Sequence, residues 1–247
     1  MTQQTPDPHS EKTPATPAQP AQKGGFLLNL LFNIIIPVVV LTRFSGPDSL
    51  GPMWSIVVAL SFPILYGLWD LRESGKVNAF SVLGIVSVLL TGGISLLELD
   101  PQYLAIKEAA IPGIIGIAVL VSQHTRFPLV RTLILNEQLV RVDALRAALE
   151  KQGNTALFER RMKHASWIVA ASFFLSSTLN YILARVIVVS QPGTTAYSSE
   201  LGRMTALSYP VIAVPSMIVL MIAIWFVFSQ VKRLTGESLE NFLVNQG

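Results

Sequence analysis

Long apolar runs constrain the fold of this chain more than any other feature of its sequence. A helix needs about 20 mainly apolar residues to cross the hydrocarbon core of a bilayer, and about 17 are tolerated. Six runs of this kind cover residues 26–42, 53–69, 77–97, 109–123, 166–189 and 206–229. Charged residues make up only 13% of the chain, whereas a soluble domain has about 25%. The sequence therefore predicts an all-α integral membrane protein, a bundle of six transmembrane helices.

The first 25 residues differ in composition from the rest of the chain. They are rich in Pro, Gln, Thr and Ala and contain no large apolar residue after Met1. Such a segment buries too little surface to offset the entropy cost of ordering it. We therefore predict a disordered tail at residues 1–25, a transmembrane domain at 26–231 and a short cytoplasmic tail at 232–247.

The longest connection lies between the fourth and fifth runs, at residues 126–164, and it is basic. Apolar and basic residues recur there at mostly helical spacing: Leu129, Leu133, Leu139, Val142, Leu145 and Leu149, with Arg131, Arg141, Arg146 and Lys151. This pattern predicts an amphipathic cytoplasmic helical segment. We expect it to lie on the bilayer surface with its basic side chains on anionic lipid headgroups. The alternative is a helix that binds a partner protein.

The basic residues also predict the orientation of the chain. With six crossings, fourteen of the 18 Lys and Arg lie on the side of the two termini, and four lie on the other side: Arg43, Lys107, Arg185 and Arg203. Because cytoplasmic loops are enriched in Lys and Arg, both termini are predicted in the cytoplasm of a bacterial-type cell. The net charge of +3 reflects this topology and does not indicate nucleic acid as a partner. Aromatic residues expected at the membrane surfaces agree with it: Trp54, Trp69, Tyr103, Trp167 and Tyr197.

The residue types argue against an enzyme. The chain has no cysteine, which excludes disulfides, thiolate metal sites and cysteine nucleophiles. His9, His124 and His164 do not have the i, i+4 spacing of a helical zinc site. The sequence contains no Gly-rich phosphate loop and no serine elbow. We therefore predict no catalytic residue, no metal site and no cofactor.

Polar residues within the apolar runs are the candidates for function. Lys107 and Glu108 lie side by side at the start of the fourth run, where a salt-bridged helix cap explains them. Asn33, Thr91 and Asn180 each have a second polar residue four positions away, on the same helix face. The simpler interpretation is hydrogen bonding between closely packed helices. The alternative is a polar lining for a substrate path.

Several short motifs resemble the intracellular septation protein A family of bacterial inner-membrane proteins, or a distant branch of its superfamily. The matching positions are Gly92-Gly93, Glu98 to Asp100, Lys107, Ser122-Gln123, Pro128-Leu129, Trp167, Phe173-Phe174 and Leu179-Asn180-Tyr181. The chain departs from the family pattern at Glu108-Ala109, where Pro-Thr is common, and in its longer basic loop. The resemblance places the chain in the bacterial inner membrane and adds Gln123 to the candidate functional residues.

The resemblance implies a role in envelope maintenance and contact with membrane proteins of cell division or elongation. We accordingly expect a non-enzymatic membrane protein that acts through protein contacts, alone or as a homo-oligomer. The alternative is a small transporter or permease-like protein. Six spans can form half of a transport fold, and the prolines at Tyr209-Pro210 and Val214-Pro215 break the sixth run in the way that discontinuous transporter helices are broken.

Overall fold

The computed structural model describes residues 28, 30–74, 79–136 and 140–244. This part of the chain is helical and contains no β-strand, although an isolated bridge pairs Val140 with Leu243. The predicted N-terminal tail lies outside the described residues. The helices are α1 (Leu31–Arg43), α2 (Gly51–Ser74), α3 (Ala79–Leu96), α4 (Pro101–Ser122), α5 (Leu129–Ile134), α6 (Val142–Lys151), α7 (Thr155–Ile187) and α8 (Thr195–Thr235), followed by a 3-10 turn at Leu239–Phe242.

Four of the described helices are long and apolar enough to cross a membrane: α2, α4, α7 and α8. Helix α1 and the apolar part of α3, Val82–Leu96, are each shorter than 18 residues. The prediction of a helical fold is thus confirmed for the described residues, which include four helices long and apolar enough to cross a membrane. The figure of six crossings remains a prediction.

Helix boundaries differ from the apolar runs. Helix α7 begins at Thr155 instead of residue 166, and α8 begins at Thr195 instead of residue 206. With 33 and 41 residues, they measure about 50 and 60 Å at 1.5 Å per residue, against about 30 Å of hydrocarbon. Hydropathy marks only the stretch inside the lipid, whereas caps mark the helix ends. The Thr194 hydroxyl accepts from the Tyr197 amide and caps α8 in this way.

The bundle has two separate hydrophobic cores. At one end α1, α2, α3, α4, α7 and α8 all contribute buried side chains, among them Leu41, Ile56, Leu104, Leu183 and Leu201. The core at the other end is built from α4 to α8 and the C-terminal turn, without a described residue of α1, α2 or α3. We call this second end the basic end. The helices α1 to α3 are therefore joined to α4, α7 and α8 mainly at the opposite end.

Small residues bring α4 and α7 into close contact. A Cβ built on Gly116 would lie 3.2 Å from atoms of both Phe173 and Phe174, and one on Gly113 would lie 3.1 Å from the Ser177 Oγ. The Ser177 hydroxyl donates to the carbonyl oxygen of Ala109 over 2.7 Å. Glycine and serine at a helix contact are typical of membrane proteins, where close packing replaces the hydrophobic effect as the main attraction between helices.

Helices α1 and α8 each contain one widened, π-helical turn, at Leu31–Ile35 and Tyr209–Ala213. Each of these turns comes directly before a proline-containing first turn of α-helix, at Pro37 and Pro215. A proline lacks an N–H group, and its ring clashes with the carbonyl four residues earlier in a regular helix. The widened turn accommodates that clash and lets the helix continue.

The apolar face of the predicted amphipathic segment is buried within the protein in α6 but not in α5. In α6, Leu145 and Leu149 are only 1% and 3% exposed, and they belong to a core that includes Phe158, Val231 and Phe242. The apolar face of α6 is therefore covered by the chain itself instead of by lipid. Contact of its basic side chains with lipid headgroups stays a prediction. Helix α5 differs, since Leu129 and Leu133 are exposed. Leu139 lies outside the described residues.

The C-terminal segment forms part of this cover. The Arg141 amide donates to the carbonyl oxygen of Phe242 over 2.7 Å, and the Asn154 side chain donates to the carbonyl oxygen of Leu234 over 2.8 Å. Within the predicted cytoplasmic tail, the side chains of Leu234, Leu239 and Phe242 are thus buried against the bundle. We call α5, α6 and Leu239–Phe242 together the basic cap.

Candidate functional site

Three of the predicted candidate residues meet between α3 and α4. The Lys107 ammonium group donates to the Thr91 hydroxyl oxygen over 2.7 Å and lies 2.6 Å from a Glu108 carboxylate oxygen. Lys107 is 8% exposed and Glu108 is 24% exposed. The Thr91 hydroxyl in turn donates to the Ser87 carbonyl oxygen over 3.1 Å. A buried cation is therefore held by one charged and one neutral oxygen.

This cluster continues across α3 to α8. The Ser95 hydroxyl lies 2.7 Å from the Thr91 carbonyl oxygen and 2.9 Å from the Tyr197 hydroxyl. Tyr197 is fully buried. We call Thr91, Ser95, Lys107, Glu108 and Tyr197 the Lys107 cluster. It joins three helices through polar contacts inside an apolar bundle.

The residues at the start of α4 determine where the helix begins and so on which face Lys107 lies. Pro101 occupies the first turn of α4, and the Asp100 carboxylate accepts from the Gln102 amide over 2.7 Å. The cap of this helix is therefore Asp100 and not the Lys107–Glu108 pair, although that ion pair does form. Leu104 is buried on the same helix face as Lys107. Lys107 lies in the second turn of the helix, where Glu108 and Thr91 offset the cost of burying its charge.

Tyr197 is the member of the cluster that sequence reasoning placed wrongly. It was expected at a membrane surface, but it lies in the core. A buried tyrosine needs a partner for its hydroxyl, and a serine at helical spacing from Thr91 provides one. The sequence signal for this contact is the repeat of Ser87, Thr91 and Ser95, which indicates a polar face on α3. The repeat does not show which helix packs against that face.

The other candidates lie elsewhere. The Asn180 amide donates to the Ser176 carbonyl oxygen of its own helix over 2.8 Å, and Asn33 lies in the widened turn of α1. Gln123 follows the last residue of α4, about 24 Å along the helix from Lys107. The structure thus groups Lys107, Glu108 and Thr91 and leaves Gln123 at the basic end.

Only one residue of the Gly92-Gly93 pair, Gly92, lies at a close contact between helices. A Cβ on Gly92 would lie 3.1 Å from a Leu60 methyl group, whereas nothing lies within 4 Å of a Cβ on Gly93. Gly92 therefore allows α2 and α3 to pack closely just beyond Thr91. The cluster and this contact together fix α3 between its neighbours.

The Lys107 cluster holds a fixed charge within a network of hydrogen bonds. Its oxygen atoms belong to hydroxyl groups and one carboxylate, and these contact one another or the helix backbone. Among the described residues, no group of three or more His, Cys, Asp or Glu could hold a metal ion. The contacts of Thr91 agree with the simpler interpretation of its position, hydrogen bonding between helices.

No family model, curated protein or solved structure matches this chain. The resemblance to the septation protein A family accordingly remains a prediction.

Proposed function

We propose that this chain is a non-enzymatic multi-pass protein of the bacterial inner membrane that supports envelope maintenance or division-site organisation through protein contacts. In this proposal six helices cross the membrane, and both termini and the basic cap lie in the cytoplasm. The observation that carries it is that the polar side chains of the Lys107 cluster join α3, α4 and α8 to one another. Groups used in this way stabilise a fixed bundle and are not left to bind a solute.

The basic cap supports the same proposal. The apolar face of α6 is buried within the chain, which leaves a face of mixed charge exposed: Asp143, Arg146, Glu150 and Lys151. A mixed-charge helix surface over a folded core suits recognition of a protein better than insertion into lipid. The resemblance to the septation protein A family adds division or elongation membrane proteins as the proposed partners.

Photocrosslinking in native membranes tests this proposal. A photoreactive amino acid at Glu150, which is exposed on α6, is expected to form adducts with a division or elongation membrane protein, identified by mass spectrometry. The matched control has the same photoreactive amino acid at Ile218, which is exposed on the apolar surface of α8 and should react with lipid. Equal protein adducts at both positions, or none at Glu150, would contradict the scaffold role.

A small transporter is the second candidate, and the two widened turns favour it. Leu31–Ile35 and Tyr209–Ala213 each interrupt a helix beside a proline, and interrupted helices often line transport sites. The absence of native cysteine permits a direct test with single cysteines at Thr91 and Asn180. A transporter predicts that a small water-soluble thiol reagent labels them from one side of the membrane. The scaffold predicts protection, with Gln152→Cys, on an exposed turn, as the reactive control.

A further inference from the structure

A cleft at the basic end lies between the end of α4 and the first turns of α7. Its volume is about 430 Å³. The residues that matter for its chemistry are Val121, Gln123, Arg160, Lys163, His164 and Trp167. Neither the Lys107 cluster nor the basic cap includes these residues.

The floor of the cleft is cationic and lacks a counter-charge. Arg160, Lys163 and His164 are spaced three and four residues apart on α7, so they share one helix face. In the part of the chain that the structure describes, neither Arg160 nor Lys163 forms an ion pair. The neighbouring carboxylate of Glu159 is already engaged, since it lies 3.0 Å from a guanidinium nitrogen of Arg131. The cleft therefore attracts an anion.

The wall of the cleft is apolar and exposed on the surface of the bundle. Val121 and Trp167 are 57% and 59% exposed, and both belong to helices that qualify as membrane spans. Tryptophan favours the boundary between headgroups and acyl chains. A ligand that fits this surface has an anionic head beside Arg160 and Lys163 and an apolar part along Val121 and Trp167.

We propose that this cleft binds the headgroup of an anionic phospholipid in the leaflet at the basic end. The Arg160 guanidinium group can donate two parallel hydrogen bonds to phosphate oxygens, and Lys163 adds a second cation. The Gln123 amide and the His164 ring supply further donors within the same cleft. A volume of this size lies in the range of small-ligand sites. This site gives a specific location to the lipid contact predicted for residues 126–164, because its cations lie at the end of that connection, on α7, and face the end of α4.

Native mass spectrometry of the full-length protein, released from detergent, tests the proposal. Phosphatidylglycerol is the anionic probe and phosphatidylcholine is the neutral one. We expect about tenfold tighter binding of phosphatidylglycerol, the effect of one charge-assisted hydrogen bond. The double variant Arg160→Gln and Lys163→Gln is expected to bind both lipids equally. The control variant, Arg146→Gln and Lys151→Gln, removes the same charge from α6 and should retain the preference.

Three outcomes would overturn the proposal. Equal binding of both lipids by the unchanged protein would show that the cleft does not recognise a headgroup. An equal loss in the α6 control would show that total charge decides binding and not the cleft. Complete competition by glycerol 3-phosphate would assign the site to a free phosphate ester instead of a lipid. Because Arg160 and Lys163 are exposed, folding should survive. If the double variant aggregates, Arg160→Gln alone is measured instead and should reduce the preference for phosphatidylglycerol.

Discussion

The ammonium group of Lys107 lies 2.7 Å from the hydroxyl oxygen of Thr91, a residue sixteen positions earlier on a different helix. This contact ties α4 to α3, and the 2.9 Å contact between Ser95 and Tyr197 then ties α3 to α8. In hydrocarbon, an unpaired ammonium group costs several kcal/mol, so the cation stabilises the bundle only while its partners are present. The polar contacts of this cluster can therefore be tested one at a time.

Removing the Lys107 cation alone should lower the free energy of unfolding more than removing both charges of the Lys107–Glu108 ion pair. Lys107→Met leaves the half-buried Glu108 carboxylate without its partner and is expected to lower the free energy of unfolding by about 2 kcal/mol. The double variant Lys107→Met and Glu108→Gln should recover part of that loss, because no charge remains to be desolvated. Unfolding by SDS titration in mixed micelles, followed by circular dichroism, measures both. A double variant less stable than Lys107→Met would contradict this account.

Gly116 should not tolerate a larger side chain. Gly116→Val places atoms where Phe173 and Phe174 already lie and is expected to destabilise the α4–α7 contact by about 1–3 kcal/mol, as overpacking does. Gly84→Val is the matched control, since nothing lies within 4 Å of a Cβ at that position. Thermal unfolding in detergent compares the two. Similar melting temperatures for both variants would mean that α4 and α7 are not closely packed.

The C-terminal turn should hold the basic cap together. Phe242→Ala empties a buried position in that core and is expected to cost about 3 kcal/mol. Phe127→Ala makes the same chemical change at a residue that is 75% exposed and should have little effect. Hydrogen exchange over Val142–Lys151 reports on the cap directly, and faster exchange is expected in Phe242→Ala alone. Unchanged exchange in that variant would show that α6 is ordered without the C-terminal turn.

The number of crossings can be decided with two single cysteines. Ser49→Cys and Gln191→Cys lie in exposed connections before α2 and before α8. If all six helices cross, both cysteines lie on the outer face, and an impermeant maleimide labels both in intact cells. If only α2, α4, α7 and α8 cross, the two cysteines lie on opposite faces and only one is labelled. Labelling in opened membranes controls for access.

The helices could be predicted because their physical cause is local. A segment in hydrocarbon must satisfy its backbone hydrogen bonds internally and cover itself with apolar side chains. The apolar runs at residues 109–123 and 206–229 are therefore enough to predict that these segments are helical. Helix ends are not fixed by that rule. The start of α7 at Thr155 instead of residue 166 depends on packing beyond the lipid, where hydropathy carries no signal.

The parts that sequence reasoning missed depend on contacts between distant residues. The apolar face of α6 is covered by Phe242, almost a hundred positions away. The periodicity of α6 predicts an apolar face but does not show whether protein or lipid covers it. Tyr197 likewise could not be assigned to Ser95 before the helices were placed together. The Lys107–Glu108 pair could be named from sequence because two opposite charges stand side by side at the start of an apolar run, where few other partners are available.

The widened turn in α8 affects how an insertion or deletion in the sequence at Tyr209–Ala213 should be interpreted. A π turn holds one residue more than the α-helical path it replaces, so the helix beyond it is rotated by about 100°. That rotation selects the side of Val214–Thr235 on which Val227 and Val231 meet the core around Met162. A homologue with one residue fewer between Ser208 and Val214 has to turn another side of its last helix toward α7. An alignment gap at this position therefore signals repacking of the bundle.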